Sequence, residues 1–470
     1  MHNFLTTKYS SANGNPCCRR WPIFAVSLAV TLLAGCKTYR PDPLDLPAHA
    51  EAWRAQSVSS EKVATFAKSL AEFAPDTVAF NPKNGLTLGE GELVALVFNP
   101  DLRIARSRAG VAEATAKYAG LWDDPELSFD VLKISNGVPD PWIVGSALSV
   151  TIPVSGRLRV EKKRAKAEMH AELDRVAEAE WQVQRDLRDA WVAWSAQRLH
   201  LQETEKIVKS LDSIVKSTSQ LAEAGELLKT EAALFSIERE SRRAELGQLR
   251  GEVAEGTHQI RALLGLSPEA PVDLIPALTA VGSVSGSALP DDTSLTLARL
   301  RSEYAVAEQT LLREVRKQYP DVTIGPQGES DEGQSRIGFV GGIPVPILNS
   351  NKGGIAKARA EREVAKAAFE IEYEKISGRL AALRARLNGV RARSKTMKDS
   401  LVPMVDRQVT DASKLVELGE GGSLVLLESL VRAHEAKLKL IDIRAEESQT
   451  SNEIQFLLGS KNRKSNTKKN

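Results

Sequence analysis

Two segments in the first half of the chain alternate apolar with polar residues, the pattern of β-strands that have two different faces. The apolar positions are Leu127, Phe129 and Val131 in the first segment, and Leu148, Val150 and Ile152 in the second. Between them lies the segment 136–141, which has the Asn, Gly, Asp and Pro composition of a loop. We therefore predict a β-hairpin here.

A very long helix is predicted after this hairpin. No proline and no further glycine occurs between Gly156 and about Lys216, enough for a helix of about 60 residues and about 90 Å. Apolar residues seven apart mark a coiled-coil seam. They are Leu187, Trp194, Leu201, Val208 and Val215. A break near Gly225 is expected to return the chain through Leu246, Val253 and Ile260 to Gly265.

The same order of features recurs about 190–200 residues later, which indicates a tandem repeat. Four pairs of segments match: 124–127 with 319–322, 152–154 with 343–345, 221–225 with 415–419, and 258–265 with 452–459. A capping-box spacing, Thr87 to Glu90, starts a helix expected to reach about Tyr118. Val322, Ile324, Ile337, Phe339 and Ile343 mark two further strands, with a Gly-, Asp- and Glu-rich loop expected between them. Pro403 should interrupt the second outgoing helix.

The N-terminus has the pattern of an export signal. Arg19 and Arg20 precede a short apolar run, Trp21 to Ala34, and then Leu33-Ala34-Gly35-Cys36. This last sequence resembles the bacterial lipobox, which implies cleavage between Gly35 and Cys36 and acylation of Cys36, with sorting to the outer membrane. A plain signal peptide with an incidental cysteine is the alternative. The predicted organisation is a signal at 1–35, an extended linker at 36–85, repeats at 86–280 and 281–460, and a disordered basic tail at 461–470.

Composition removes several classes of function. The 470 residues include three cysteines, none after position 36, so the body has neither a disulfide nor a cysteine metal site. Residues 1–35 hold three of the 63 basic residues and none of the 61 acidic ones, which leaves the rest with one net negative charge and no nucleic-acid footprint. The histidines are scattered without ligand spacing, and His434-Glu435 is expected on a solvated helix face. We predict no catalytic site, no metal site, no cofactor and no enzyme activity.

Four strands of nine or ten residues are long enough to cross an outer membrane. They cannot close a barrel alone, and an open edge cannot face lipid. If the strands lie in the membrane, several chains must build one barrel, and the polar helices must project from it as a tube. Ordinary helix packing in a soluble bundle would explain the seven-residue stripe but not the repeated hairpins.

The chain resembles the outer membrane efflux protein (TolC-like) family over about residues 86–460. The resemblance rests on Ala95-Leu-Val-Phe-Asn99-Pro100-Asp-Leu-Arg-Ile-Ala105, the paired Ile-Pro-Val strand ends and the two Gly-containing helix turns. It implies a mainly α homotrimer with a twelve-stranded transmembrane β-barrel and a periplasmic tunnel of antiparallel coiled-coil helices. It also implies two partners, a periplasmic adaptor and an inner-membrane transporter of the RND type. The segment 343–353 is similar to the heavy-metal (cobalt–zinc–cadmium) branch of the family.

The resemblance also suggests where the tunnel closes. In the family, acidic residues after each helix-turn glycine can ring the constriction. Glu231 lies six residues after Gly225 and Glu428 nine after Gly419, and both spacings match the family's acid positions. Val425 stands where a further acid can occur, so the ring would be sparser here. Ordinary surface glutamates are the alternative. Glycines of the turns are candidates for docking the adaptor: Gly225, Gly419, Gly421 and Gly422.

The predicted function is therefore the lipid-anchored outer-membrane exit duct of a tripartite efflux system, and the resemblance of 343–353 to the heavy-metal branch makes heavy-metal cations a candidate substrate. Two alternatives stay open. One is the exit duct of a type I protein secretion system, and the other is a coiled-coil lipoprotein without a pore. The transported substrate and the resting state of the pore do not follow from the sequence.

Overall fold

The computed structural model describes residues 39–73, 80–135, 137, 141–278, 293–331, 334–418 and 422–459. The chain divides into two compact units, Met1–Ala52 and Trp53–Asn470. Gly35, Cys36 and the basic tail lie outside the described residues, so the signal, the lipid anchor and the disordered tail remain predictions.

The segment 36–85, expected to be extended, contains two helices. They are α1 (Leu46–Arg54) and α2 (Glu61–Phe73). Helix α2 is amphipathic, and its Val63 is fully buried in the main hydrophobic cluster. Burial of this apolar face stabilises a helix too short to form by itself. A single turn of 3₁₀ helix, Pro82–Asn84, follows.

The first repeat contains α3 (Leu88–Phe98), α4 (Pro100–Tyr118), β1 (Glu126–Lys133), β2 (Trp142–Ile152), α5 (Arg157–Glu223) and α6 (Lys229–Leu263). The predicted capping box is confirmed, because Thr87 and Glu90 bond reciprocally at the start of α3. The prediction of one helix reaching Tyr118 is wrong. The helix breaks at Asn99, whose extended backbone precedes Pro100 and whose side chain accepts the Asp101 and Leu102 N–H groups to start α4.

The second repeat contains α7 (Leu295–Arg316), β3 (Val322–Asp331), β4 (Gln334–Gly342), α8 (Lys352–Thr396), a π-helical turn (Met397–Leu401), α9 (Val402–Glu417) and α10 (Ser423–Leu458). The predicted interruption at Pro403 is confirmed, since the π turn ends one residue before the helix that carries this proline at its start. The expected polar loop after Ile324 is shorter than predicted. Strand β3 continues through Gly325 to Asp331, because ladder hydrogen bonds to β2 and β4 override the weak strand propensity of these residues.

The four strands form one antiparallel sheet in the order β1-β2-β3-β4. The two repeats meet at its centre, where β2 pairs with β3 from Val144 opposite Ser330 to Ile152 opposite Val322. Strands β1 and β4 are the edges. Both hairpin turns lie at one end of the sheet, and the connections to the helices lie at the other.

The long helices pack side by side, with those of the first repeat on one side and those of the second repeat on the other. Helix α6 packs chiefly on α5, α5 on α10, and α10 on both α8 and α9. All five predicted seam residues of α5, from Leu187 to Val215, are buried, which confirms the coiled-coil prediction. Helix α4 also packs on α5, and α7 packs between α5 and α8.

In each repeat a glycine at the end of the returning helix packs against the backbone just before another helix. Gly265, after α6, packs against the backbone before α4, and Gly459, after α10, packs against the backbone before α7. The Asn99 side-chain amide donates to the Leu263 carbonyl at 2.9 Å, and a Cβ on Gly265 would overlap the Phe98 carbonyl. In the second repeat the Thr293 hydroxyl donates to the Leu458 carbonyl, and a Cβ on Gly459 would overlap the Thr293 carbonyl. Both glycines have positive φ, +75° and +77°. The sequence match between 258–265 and 452–459 therefore has a shared structural cause.

We expect Gly265→Ala to destabilise the protein by at least about 2 kcal/mol, because a positive φ and a close backbone approach both penalise a side chain. Gly353→Ala is the matched control, since a Cβ there meets open space within the chain, and it should change stability by less than about 1 kcal/mol. Guanidinium unfolding followed by circular dichroism compares them. Equal stability of the two variants would contradict this role for the glycine.

Candidate functional sites at the helix turns and on the sheet

The turn between α5 and α6 is closed by backbone bonds around Gly225. This glycine has φ +81°, the left-handed conformation that ends helices. Beyond it, the Glu226 N–H donates to the Leu221 carbonyl at 2.9 Å. Helix α6 then starts at Lys229, so the predicted turn at Gly225 is confirmed.

Glu231 lies in the first turn of α6 and joins the two repeats. One of its carboxylate oxygens accepts a hydrogen bond of 2.7 Å from the hydroxyl of Ser423, the first residue of α10. A carboxylate at this position also interacts favourably with the helix dipole of α6. Phe235, one turn further on, is fully buried and packs with Leu427 of α10. The turn regions of both repeats therefore lie together.

Glu428 occupies a different environment on α10. It forms an exposed ion pair with Arg432, with 2.7 Å between the carboxylate Oε1 and the guanidinium Nε. Both side chains line a groove of about 500 Å³ between α9 and α10, together with Val405, Gln408, Leu424, Val425 and Ser429. Hydrogen bonding to Glu428 raises the pKa of Arg432, so the negative charge of Glu428 is partly neutralised.

Two of the four candidate turn glycines are among the described residues. Gly225 is in the αL conformation, and Gly422 is the N-cap of α10. Gly419 and Gly421 lie outside the described residues. The arrangement of Glu231 and Glu428 in a ring needs more than one chain, so their role as a gate stays a prediction.

The pairing of the strands gives the sheet two chemically different faces. Residues directly opposite each other across an antiparallel pair share a face. One face carries Leu127, Phe129, Val131, Trp142, Val144, Leu148, Val150, Ile152, Val322, Ile324, Pro326, Ile337 and Phe339. The other carries Glu126, Asp130, Thr151, Thr323, Gln327, Glu329, Asp331, Gln334 and Arg336, together with three large apolar residues, Leu132, Ile143 and Val340. Every charged residue of the four strands except Lys133, at the sheet end, is on this second face.

The apolar face of the sheet is open within the single chain. Phe129 is 71% exposed, Ile337 92% and Phe339 83%. Such a large exposed apolar surface indicates contact with a partner or a membrane. Gly145 belongs to the polar face, where a Cβ would overlap the carboxylate of Asp130. The glycine thereby leaves room for a charge on that side.

The prediction that His434 lies on a solvated helix face is wrong. The residue is only 4% exposed and its Nε2 has no hydrogen-bond partner among the described residues. It lines a cavity of about 450 Å³ between α5, α9 and α10, with Glu203, Lys206, Asp406 and Lys437. The sequence signal was the spacing of Ala433 and Ala436, small residues that let a neighbouring helix approach.

Burial, and after it the positive charge of Arg242 on α6, lower the pKa of His434 to about 4. Three glutamates oppose this effect: Glu245, Glu203 and Glu238. Arg242 is itself held by Glu238 and Glu245, at 2.7 and 2.9 Å. His434 is therefore neutral at neutral pH.

Among the described residues, no group of three or more His, Cys, Asp and Glu side chains is arranged to hold a metal ion. None of the helices in the same part of the chain is long and apolar enough to cross a membrane.

Comparison with known proteins gives a consistent set of relatives. Residues 94–266 match the sequence profile of the family described as outer membrane efflux protein. The cobalt-zinc-cadmium resistance protein CzcC of Cupriavidus metallidurans is 21% identical over 252 residues, which are 52% of this chain and 60% of CzcC. The matched part thus spans less than two thirds of this relative.

Two solved structures have the same fold. The outer membrane protein VceC of Vibrio cholerae superimposes with a TM-score of 0.66 at 16% identity, covering 79% of this chain and 96% of VceC. The CmeC outer membrane channel of Campylobacter jejuni gives 0.68 at 14% identity, covering 92% of this chain and 97% of CmeC. At these identities the likeness concerns the fold.

Acidification should destabilise the helices through His434. Its pKa in the folded protein, about 4, is below the ordinary value of 6.5, so the unfolded chain binds the proton first. Stability is therefore lost as the pH falls from 6.5 towards 4, by up to about 3 kcal/mol. His434→Gln should remove this part of the pH dependence in thermal unfolding, whereas His170→Gln, at an exposed position, should leave it. Identical pH profiles for wild type and His434→Gln would contradict the assignment.

Proposed function

We propose that the chain is the outer-membrane exit duct of a tripartite efflux system. The match of residues 94–266 to the outer membrane efflux protein profile supports this proposal, as does the fold shared with VceC and the CmeC channel. Substrate passes through the duct without being chemically changed. An inner-membrane transporter of the RND type drives the flow, and a periplasmic adaptor links that transporter to the duct.

The two-faced sheet is the observation that carries this proposal. Its apolar face suits lipid, and its charged face suits a water-filled lumen. Strand β2 has eleven residues and β1 has eight, which are near the length that a tilted strand needs to cross a membrane. A coiled-coil lipoprotein without a pore would not require such a sheet.

The duct is a homotrimer in this proposal, with twelve strands from three chains. The packed helices form a layer with α6 and α4 at one edge and α8 at the other. These edges support the assembly, since each has an exposed stripe of small or apolar residues seven apart. The stripe on α8 is Val364, Ile371, Gly378, Ala385 and Ala392, and those on α6 and α4 are Ile237, Ala244 and Gly251, then Ile104, Val111 and Tyr118. A Cβ on Gly251 or Gly378 meets nothing within the chain. Helix glycines cost about 1 kcal/mol each, so a close neighbour from another copy would account for them.

Heavy-metal cations are the substrate class that we propose, with Cys36 as the lipid anchor. The name of the relative CzcC, a cobalt-zinc-cadmium resistance protein, supports this class. The lumenal face of the sheet adds chemical support, because four acidic residues there accompany one arginine: Glu126, Asp130, Glu329, Asp331 and Arg336. An acidic lumen attracts cations electrostatically without holding them.

Two adjacent substitutions in the middle of β2 test the membrane position of the sheet. Leu148→Arg puts a charge on the apolar face, at a cost of about 2–4 kcal/mol near the bilayer centre. Ala147→Arg puts the same charge on the lumenal face. We expect Leu148→Arg to abolish heat-modifiable oligomers in outer-membrane fractions, and Ala147→Arg to assemble with reduced cation conductance. Normal assembly of Leu148→Arg would refute the proposed orientation.

We also propose that Glu231 and Glu428 of the three chains form an acidic ring at the constriction of the tunnel. The double variant Glu231→Gln, Glu428→Gln should lower the cation selectivity of the reconstituted pore, with most of the loss due to Glu231, because Arg432 already neutralises part of the charge of Glu428. Arg432→Gln is the informative counterpart, since it frees Glu428 and should raise cation selectivity. Bilayer recordings of reversal potentials measure both. Unchanged selectivity in the double variant would rule out the ring.

A further inference from the structure

Two proline-containing turns follow the end of the sheet from which the long helices start. After β2 the chain runs through Pro153 and Val154 into α5, and after β4 it runs through Ile343–Leu348 before α8. Their apolar side chains point into open space within the chain. The exposed fractions are 61% for Val154, 58% for Ile343, 70% for Val345, 81% for Ile347 and 94% for Leu348.

Some backbone groups of these turns are hydrogen bonded within the turns themselves. The Val154 N–H donates to the Ile152 carbonyl at 3.0 Å, and the Ile347 N–H donates to the Val345 carbonyl at 2.9 Å. The Ser350 hydroxyl closes the second turn by donating to the Pro346 carbonyl at 2.6 Å. The prolines have no N–H to satisfy. These bonds and the missing proline N–H groups lower the number of backbone groups that need a partner in the surroundings, which the hydrated headgroup region can supply.

The second turn continues the apolar face of the sheet. Ile337 and Phe339 lie on that face, and the alternation along β4 carries Ile343 to the same side. No charged residue occurs from Ile337 to Leu348. Polar residues then follow at once as Asn349, Ser350 and Asn351, and the first charge is Lys352. The chain thus changes abruptly from apolar to polar where α8 begins.

Large aromatic side chains stand at the same end of the sheet. Trp122, 59% exposed, precedes β1, and Tyr319, 56% exposed, precedes β3. Tryptophan and tyrosine prefer the boundary between lipid headgroups and acyl chains. Both therefore mark the level at which the sheet would leave a membrane.

We propose that the two proline turns, and chiefly Ile343–Leu348, insert into the headgroup–acyl boundary of the leaflet on the helix side of the membrane. The turns would hold the base of the barrel at a fixed depth, as interfacial segments do by burying apolar area in lipid. This inference rests on the proposed function, because it requires the sheet to cross the bilayer. Lipid is the partner that we assign, since the turn extends the lipid-facing surface of β4, whereas the stripes that suit another copy lie on α4, α6 and α8.

Fluorescence quenching by lipid tests the inference. Leu348→Cys, Phe339→Cys and Val425→Cys each receive a bimane label in the full-length chain, and the wild-type chain gives the labelling background from its native cysteines. The purified assemblies are reconstituted into phosphatidylcholine vesicles with and without lipid brominated near the headgroup. Phe339 reports the sheet face, and Val425, 51% exposed beside the α9–α10 turn, is the control outside the membrane.

We expect brominated lipid to quench the label at position 348 at least half as strongly as that at 339, and to leave that at 425 unchanged. Quenching at 339 without quenching at 348 would overturn the inference and leave the proposed function standing, as when another copy covers the turn. Absence of quenching at both positions would overturn the inference together with the membrane position of the sheet.

Discussion

The outer edges of β1 and β4 each present backbone N–H and C=O groups that no strand in the described part of the chain pairs with. Water can satisfy such groups, but water is excluded from the interior of a bilayer. The apolar face of the same sheet has the opposite requirement, because it is unfavourable in water. Lipid on one face and further copies of the chain at both edges satisfy the two requirements together. The proposed trimer, with its sheet in the membrane, follows from this pair of constraints.

The tandem repeat makes such completion geometrically simple. The first repeat supplies one edge of the sheet and one edge of the helix layer, and the second repeat supplies the other edge of each. The two repeats also share a packing contact: Gly265 fixes the end of α6 against the start of α4, and Gly459 fixes the end of α10 against the start of α7. A single rotation can therefore join β4 to β1 and α8 to α6 of the next copy, which is the head-to-tail contact that generates closed rings.

Much of this architecture could be predicted from the sequence, because it depends on residue periodicity. Alternation of period two located all four strands, and the seven-residue spacing from Leu187 to Val215 located the seam of α5. Gly225 and Pro403 marked a turn and a helix interruption through their own backbone restrictions. These signals are local and need no knowledge of neighbouring elements.

Features that depend on tertiary contacts were missed. Asn99 starts a new helix because its side chain can reach both the α4 N-terminus and the Leu263 carbonyl, a residue distant in sequence. β3 extends through glycines because strands pair on both sides of it. His434 is buried because α5 and α9 pack against its helix, although Glu435 beside it in sequence is charged. The Ser423 partner of Glu231 was missed for the same reason, because the two residues are 192 positions apart in sequence. Arg432, in contrast, follows Glu428 by four residues on one helix, a spacing at which ion pairs can be predicted from the sequence.

If sister chains complete this sheet inside a membrane, a particle extracted from that membrane must contain more than one chain. Native mass spectrometry of the protein extracted from outer membranes in mild detergent gives the number of chains per particle without labels or substitutions. We expect particles of three chains that survive extraction and dissociate on heating. A particle of a single chain, stable and folded in detergent, would contradict the completion of the sheet by sister chains.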